Sequence, residues 1–115
     1  MPSTGLGAFY DLDNETIDKV VSRKSAGAYC LGPLNKDNGK FIPKYVGRSD
    51  DDINARLKNW VGGKYPKFKF SYYSSAKAAY EKECKLYHDW LDQLDNDIHP
   101  AKPEGSDWKC PVCGK

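Results

Sequence analysis

With 115 residues and 39% hydrophobic side chains, the chain has the material for one domain with its own core and too little length for two. No segment approaches the roughly 20 apolar residues that cross a bilayer, and the first 24 residues hold no apolar run suited to export, so a soluble, intracellular protein is expected and a membrane protein is not. The net charge of +2 hides an uneven split: eleven Lys/Arg against five Asp/Glu over residues 40–85, and three against six over residues 86–115, a basic middle that suits nucleic acid as readily as a solvated lysine-rich face.

Residues 14–24 set Ile17, Val20 and Val21 at helical spacing behind an Asn cap, so the N-terminal segment, residues 1–24, is expected to pack on the domain as a short amphipathic helix. Two apolar runs, residues 28–34 and 41–46, flank the polar turn Asn35-Lys36-Asp37-Asn38-Gly39, whose Asn-Gly pair favours positive φ; this pattern predicts a hairpin. Pro43 lacks an N–H, so its strand is expected at an edge or with that position turned away from its partner. Asp50, Asp51 and Asp52 place carboxylates at the positive end of a second helix with the stripe Ile53, Leu57, Trp60 and Val61, ended by Gly62-Gly63. Residues 67–73 alternate at first, with Phe68 and Phe70 inward and lysines outward, and predict a third strand. Ser74 or Ser75 caps a long helix reaching about to Leu94, and a loop over residues 96–105 leads to the tail. The expected fold is α+β, a small three-stranded antiparallel sheet flanked by helices.

Gly27 and Gly47, like Tyr29 and Tyr45, lie symmetrically about position 37, so a simple hairpin makes the two tyrosines cross-strand neighbours on one face. Paired tyrosines are also ordinary strand residues. A glycine within a strand packs nothing, however, and marks the close approach of a ligand or of another backbone. Arg48 stands at the strand end, and Arg56 lies about 60° from Ile53 around the second helix, on the border of its stripe. Each offers a fixed charge and a fork of donors to phosphate, or simply snorkels. On the long helix, Ala76, Ala79, Tyr80, Leu86, Tyr87, Trp90 and Leu94 all fall within roughly 60° of Glu83, a lone carboxylate in an apolar face that calls for an arginine partner or a cation. Glu81 lies about 160° away and is expected to face solvent.

In this order and spacing, the triplets GAY at 27–29 and YVG at 45–47, Arg56 on the following helix and Glu83 on the long helix resemble the GIY-YIG nuclease domain, over residues 25–100. Asn96 followed by His99-Pro100 is similar to the end of that domain. The resemblance implies a metal-dependent endonuclease acting on DNA, branched or damaged DNA included. It implies that Glu83 holds Mg²⁺ or Mn²⁺, which polarises the scissile phosphate. It further implies that Tyr45 takes or positions the proton of the attacking water, that Arg48 lowers the tyrosine's pKa, that Arg56 balances transition-state charge and that Tyr29 orients water or phosphate. Asn96 would set the loop beside the metal. One position departs from the pattern: Trp60 stands where many members place histidine or tyrosine, and indole is no base.

The tail, residues 101–115, carries Cys110-Pro111-Val112-Cys113-Gly114, half of a zinc ribbon by its spacing. Cys84 and His88, four apart on the long helix, are the expected partners of Cys110 and Cys113 in a structural Zn²⁺ site, with His99 as a competing ligand and a metal shared between two chains as another arrangement. Without metal, Cys84 is a buried thiol; Cys30 is expected to be a small core residue. Two further readings stand beside the nuclease. One is a binding module that grips nucleic acid through Lys44, Arg48, Lys58, Lys64, Lys67 and Lys69 without cutting. The other is an interaction adaptor whose tail binds a protein partner, the chain being a monomer or a weak dimer.

Overall fold

The computed structural model describes residues 4–96, 99–101 and 105–114. Along the chain run strand β1 (Tyr10–Asp11), helix α1 (Asn14–Val20), strands β2 (Gly27–Gly32) and β3 (Tyr45–Ser49), helix α2 (Ile53–Lys58), strand β4 (Lys67–Tyr72) and helix α3 (Ala76–Asp89), the last followed by a 3₁₀ turn at Leu91–Gln93. Each helix starts where a side-chain oxygen takes a backbone N–H that has no partner within the helix. Asp13, not Asn14, caps α1 by accepting from Thr16 N at 2.7 Å. Asp52 accepts from Ala55 N at 3.3 Å and Ser75 from Ala78 N at 3.1 Å.

The sheet has four strands in the order β1-β4-β2-β3, all neighbours antiparallel, where the sequence suggested three. The added strand, β1, pairs only Tyr10 with Phe68 and Asp11 with Lys67, too few residues to show any alternation in the sequence. Strand β2 lies between β3 and β4, and every residue in it is buried. Its Tyr29 and Leu31 join Ile17, Val21, Ile53, Leu57 and Phe68 in a core beneath α1 and α2. Its Cys30 joins Val46, Leu86 and Trp90 in a second core beneath α3, and burial pushes this thiol up to about 12. A central strand with a core on each face fits the unbroken run Ala28-Tyr29-Cys30-Leu31. Among the described residues, no helix is long and apolar enough to cross a membrane.

The hairpin does not fold about position 37. Tyr29 pairs with Gly47 and Leu31 with Tyr45, so the two tyrosines share a face as diagonal neighbours rather than as direct partners. Two local features cause the slip. The turn closes one residue later than expected, through Asn35 N to Lys40 O and the bridge Leu34–Phe41. The returning chain then bulges at Ile42 and Pro43, where Ile42 N reaches Pro33 O and Lys44 N reaches Leu31 O, with one extra residue against its partner. Pro43 therefore sits in the bulge, outside β3. Gly32 is what admits it: a Cβ there would lie 1.9 Å from Ile42 O.

Candidate active site

The strand glycines mark close approach, and what approaches them is protein. At Gly47 a Cβ would lie 2.5 Å from the Tyr29 ring, so Gly47 lets that ring cross the edge strand. At Gly27 it would meet Ile53 Cδ1 and Ser71 O at 2.6 Å each, so Gly27 seats α2 against the sheet. Because β3 is the sheet's edge, side chains from its two faces meet at Gly47. Tyr29 and Tyr45 come from the α2 side, and Arg48, held by Glu83 of α3, from the other. The result is a cleft of about 180 Å³ lined by Tyr29, Tyr45, Gly47, Arg48, Asp50, Arg56, Glu83 and Ala101. All five side chains proposed from the sequence for catalysis converge there. Two larger depressions, about 360 and 440 Å³, lie beside Phe41, Pro43 and Trp90, and neither gathers opposed ionisable groups.

Glu83 is 8% exposed, in keeping with its phase on α3. Burial pushes its carboxyl above the usual carboxylate range, and the Arg48 guanidinium opposes that shift. Arg48 donates from Nη1 to Glu83 Oε1 at 2.7 Å and from Nε to Asp50 Oδ1 at 2.8 Å, with its guanidinium carbon 5.0 Å from the centre of the Tyr80 ring. A second carboxylate thus lines the cleft. By sequence Asp50 is only a helix-end charge; its position two residues beyond Arg48, at the strand's exit, is the signal that points to the cleft.

Trp60 Nε1 donates to the Tyr29 hydroxyl at 2.9 Å, and its ring packs on Tyr45 at 4.5 Å. The indole therefore has a polar task that a non-basic ring can perform. With its oxygen occupied as an acceptor, the Tyr29 hydroxyl has its own proton left to donate. Burial raises the pKa of both tyrosines: Tyr29 deeply, with Trp60 opposing, and Tyr45 with added repulsion from Glu83 and relief from Arg56. Both are neutral phenols at physiological pH. Arg56, exposed on α2, acts on both tyrosines and on Glu83 through its charge.

None of the five lysines proposed for nucleic-acid contact lines this cleft. Lys58 pairs with Asp18, Lys64 with Asp95 at 3.2 Å and Lys67 with Asp11, while Lys69 lies 5.4 Å over the Phe41 ring and Lys44 directly follows the bulge. Asn96 does not line the cleft and clasps the sheet edge: its Oδ1 accepts from Val46 N and its Nδ2 donates to Val46 O, each at 3.0 Å.

The ligand set expected for the tail is corrected at one position. One ligand atom from each of His88, His99, Cys110 and Cys113 lies within 4.8 Å of the others. His99, the competing candidate, takes the place given to Cys84. The Cys84 thiol instead enters an apolar cluster with Tyr80, Cys110 and Trp108, where burial pushes it up to about 12. Burial works against ionising Cys110, but the backbone N–H groups of Cys113 and Val112, joined by the side chains of His99 and Cys84, bring that thiol down to about 6. All four cysteines are free.

Compared with known proteins, the chain matches no family model, no curated protein and no solved structure. The chemistry of the cleft must therefore be inferred from its own side chains.

Proposed function

We propose that the cleft at the edge of β3 is the active site of a metal-dependent endonuclease of the GIY-YIG type, hydrolysing phosphodiester bonds in DNA. The observation that carries this reading is the convergence of two phenols, two guanidinium groups and a nine-tenths-buried carboxylate around one small polar cleft. Glu83 keeps one carboxylate oxygen outside the Arg48 contact, so it can serve a cation and its arginine partner together. The donor set fits Mg²⁺ or Mn²⁺, since the carboxylates of Glu83 and Asp50 are hard oxygen ligands and a bound phosphate would complete the shell. Glu83 is the residue assigned to hold the ion; when bound, the ion would polarise the scissile phosphate and stabilise the leaving oxygen.

The side chains divide the remaining work. Arg56 offers a fork of donors free of hydrogen-bonded partners among the described residues, and it stabilises charge building on the non-bridging oxygens. Tyr29, its oxygen held by Trp60, donates its proton to a phosphate oxygen or a water. Tyr45, a neutral phenol that shares the cleft with Glu83 and Arg56, positions the attacking water. Arg48 fixes the Glu83 carboxylate against rotation while Asp50 holds its other arm.

The test is incubation with supercoiled plasmid and with a branched DNA, in Mg²⁺, in Mn²⁺ and in EDTA. Cutting is expected only with metal, and it should fall by at least about 100-fold in Arg56→Ala and in Glu83→Gln, while Glu81→Ala cuts like the parent. Metal-independent cutting, or equal loss from Glu81→Ala and Glu83→Gln, would sink the assignment. Binding without cutting would favour the non-cutting module.

A further inference from the structure

We infer that His88, His99, Cys110 and Cys113 form a closed, structural zinc site that fastens the tail to the outer side of α3. The four side chains come from three places: the last turn of α3, the segment after the 3₁₀ turn and the knuckle near the C-terminus. Cys113 Sγ and His99 Nε2 are 3.4 Å apart. A tetrahedron with Zn–S near 2.3 Å and Zn–N near 2.0–2.1 Å has edges of roughly 3.3–3.8 Å, so these atoms already stand at ligand spacing. The other atoms of the four lie within 4.8 Å and need only a small convergence.

Two features of the imidazoles point the same way. His99 Nδ1 lies 2.9 Å from Pro100 O, so its proton belongs on Nδ1 and the lone pair of Nε2 faces the cysteines. This is the outer hydrogen bond that metal-bound histidines commonly make. His88 Nε2 is buried with no hydrogen-bond partner among the described residues, an arrangement that costs free energy unless something ligates it. The two rings are 5.3 Å apart between centres, tilted at 57°, as two ligands of one ion can be.

The knuckle is shaped for the same purpose. Gly114 N returns to Cys110 O at 2.9 Å, and Gly114 takes φ of 77°, a conformation that side chains rarely adopt. The turn presents both sulfurs to the histidines. Two thiolates and two imidazoles around one ion select zinc over the harder ions of the cleft, and with all four positions filled by protein there is no open position for a substrate. Cys84 stands behind Cys110 in the apolar cluster, as a supporting neighbour and not a ligand.

Purified full-length protein, reconstituted with ZnSO₄ under reducing conditions, is expected to hold one zinc per chain. Absorption at the zinc edge should give two sulfur neighbours and two nitrogen neighbours. His99→Gln and Cys113→Ser should each weaken zinc by about 100-fold or more, whereas Cys84→Ala keeps it. The edge spectrum of the unaltered protein decides independently of whether a ligand variant folds. Three sulfurs with one nitrogen would put Cys84 back in the set and overturn the assignment. Half a zinc per chain would mean a metal shared by two copies, and would overturn it too. So would no zinc at all, with Cys110 and Cys113 recovered as free thiols or as a disulfide.

Discussion

Burial holds the Glu83 carboxyl above the usual carboxylate range although Arg48 donates to it at 2.7 Å, so ionising it disfavours the folded state relative to the unfolded chain. The sign follows directly. Below the unfolded pKa both states hold the proton and the penalty is absent; as pH rises through the unfolded value towards the raised folded one, stability falls, and above it the loss is complete. Glu83→Gln is therefore expected to stabilise the protein by about 0.5–2 kcal/mol at pH 7, with the gain fading to nothing towards roughly pH 3–4. The amide oxygen can still accept from Arg48, which keeps Asp50 as an ionic partner. Urea denaturation at both pH values measures it. A variant less stable than the parent at pH 7 would mean that the ion pair outweighs burial. That Glu83 is buried was legible from helical phase alone, because one turn angle fixes which side chains share a face. That its partner is Arg48 was not, since the two are 35 residues apart and meet only through the packing of α3 on β3.

At the scale of elements, the edge strand β3 has one neighbour in the sheet, and Asn96 supplies a substitute for the missing strand by bonding both backbone groups of Val46. Val46 is buried, so Asn96→Ala leaves a buried N–H and C=O without that partner. The expected loss is about 1–3 kcal/mol in urea denaturation, together with faster amide exchange at Val46; exchange unchanged at Val46 would deny the clasp any role. Elements announced by caps and periodicity, α1, α2, α3, β2 and β4, were legible because the signal is carried by the segment itself, though α1 and α3 stop at Val20 and Asp89, short of the expected ends at residue 24 and about Leu94. The larger failures involve contacts between segments. The hairpin register depended on a bulge at Ile42 and Pro43 that Gly32 admits, and no alternation pattern encodes an unpaired residue. Likewise, helical spacing puts Cys84 and His88 on one side of α3, but that His99 rather than Cys84 joins His88, Cys110 and Cys113 within 4.8 Å rests on contacts between segments.

Taken as a whole, the molecule spends much of the basic excess of residues 40–85 on itself. Lys58, Lys64 and Lys67 answer Asp18, Asp95 and Asp11, and Lys69 lies over Phe41, so four of the lysines expected to form a phosphate track are engaged by neighbours. The cleft has no charge excess either, since Arg48 and Arg56 are matched by Asp50 and Glu83. A divalent cation in the cleft would tip that balance and attract a phosphate locally, whereas a lysine track would attract the backbone over many nucleotides. On the proposed reading, DNA affinity should depend on salt only modestly. With the Glu83→Gln protein, which is not expected to cut, the slope of log affinity against log salt should be no steeper than about −4, the release expected from about four phosphates. Lys58→Ala, Lys64→Ala and Lys67→Ala should each change affinity by less than about threefold, because each lysine must give up an ion partner to reach DNA. A slope near −8, with a stepwise reduction of about 1 for each lysine removed, would instead assign the basic segment to a long backbone-tracking surface and the cleft to a minor part of binding.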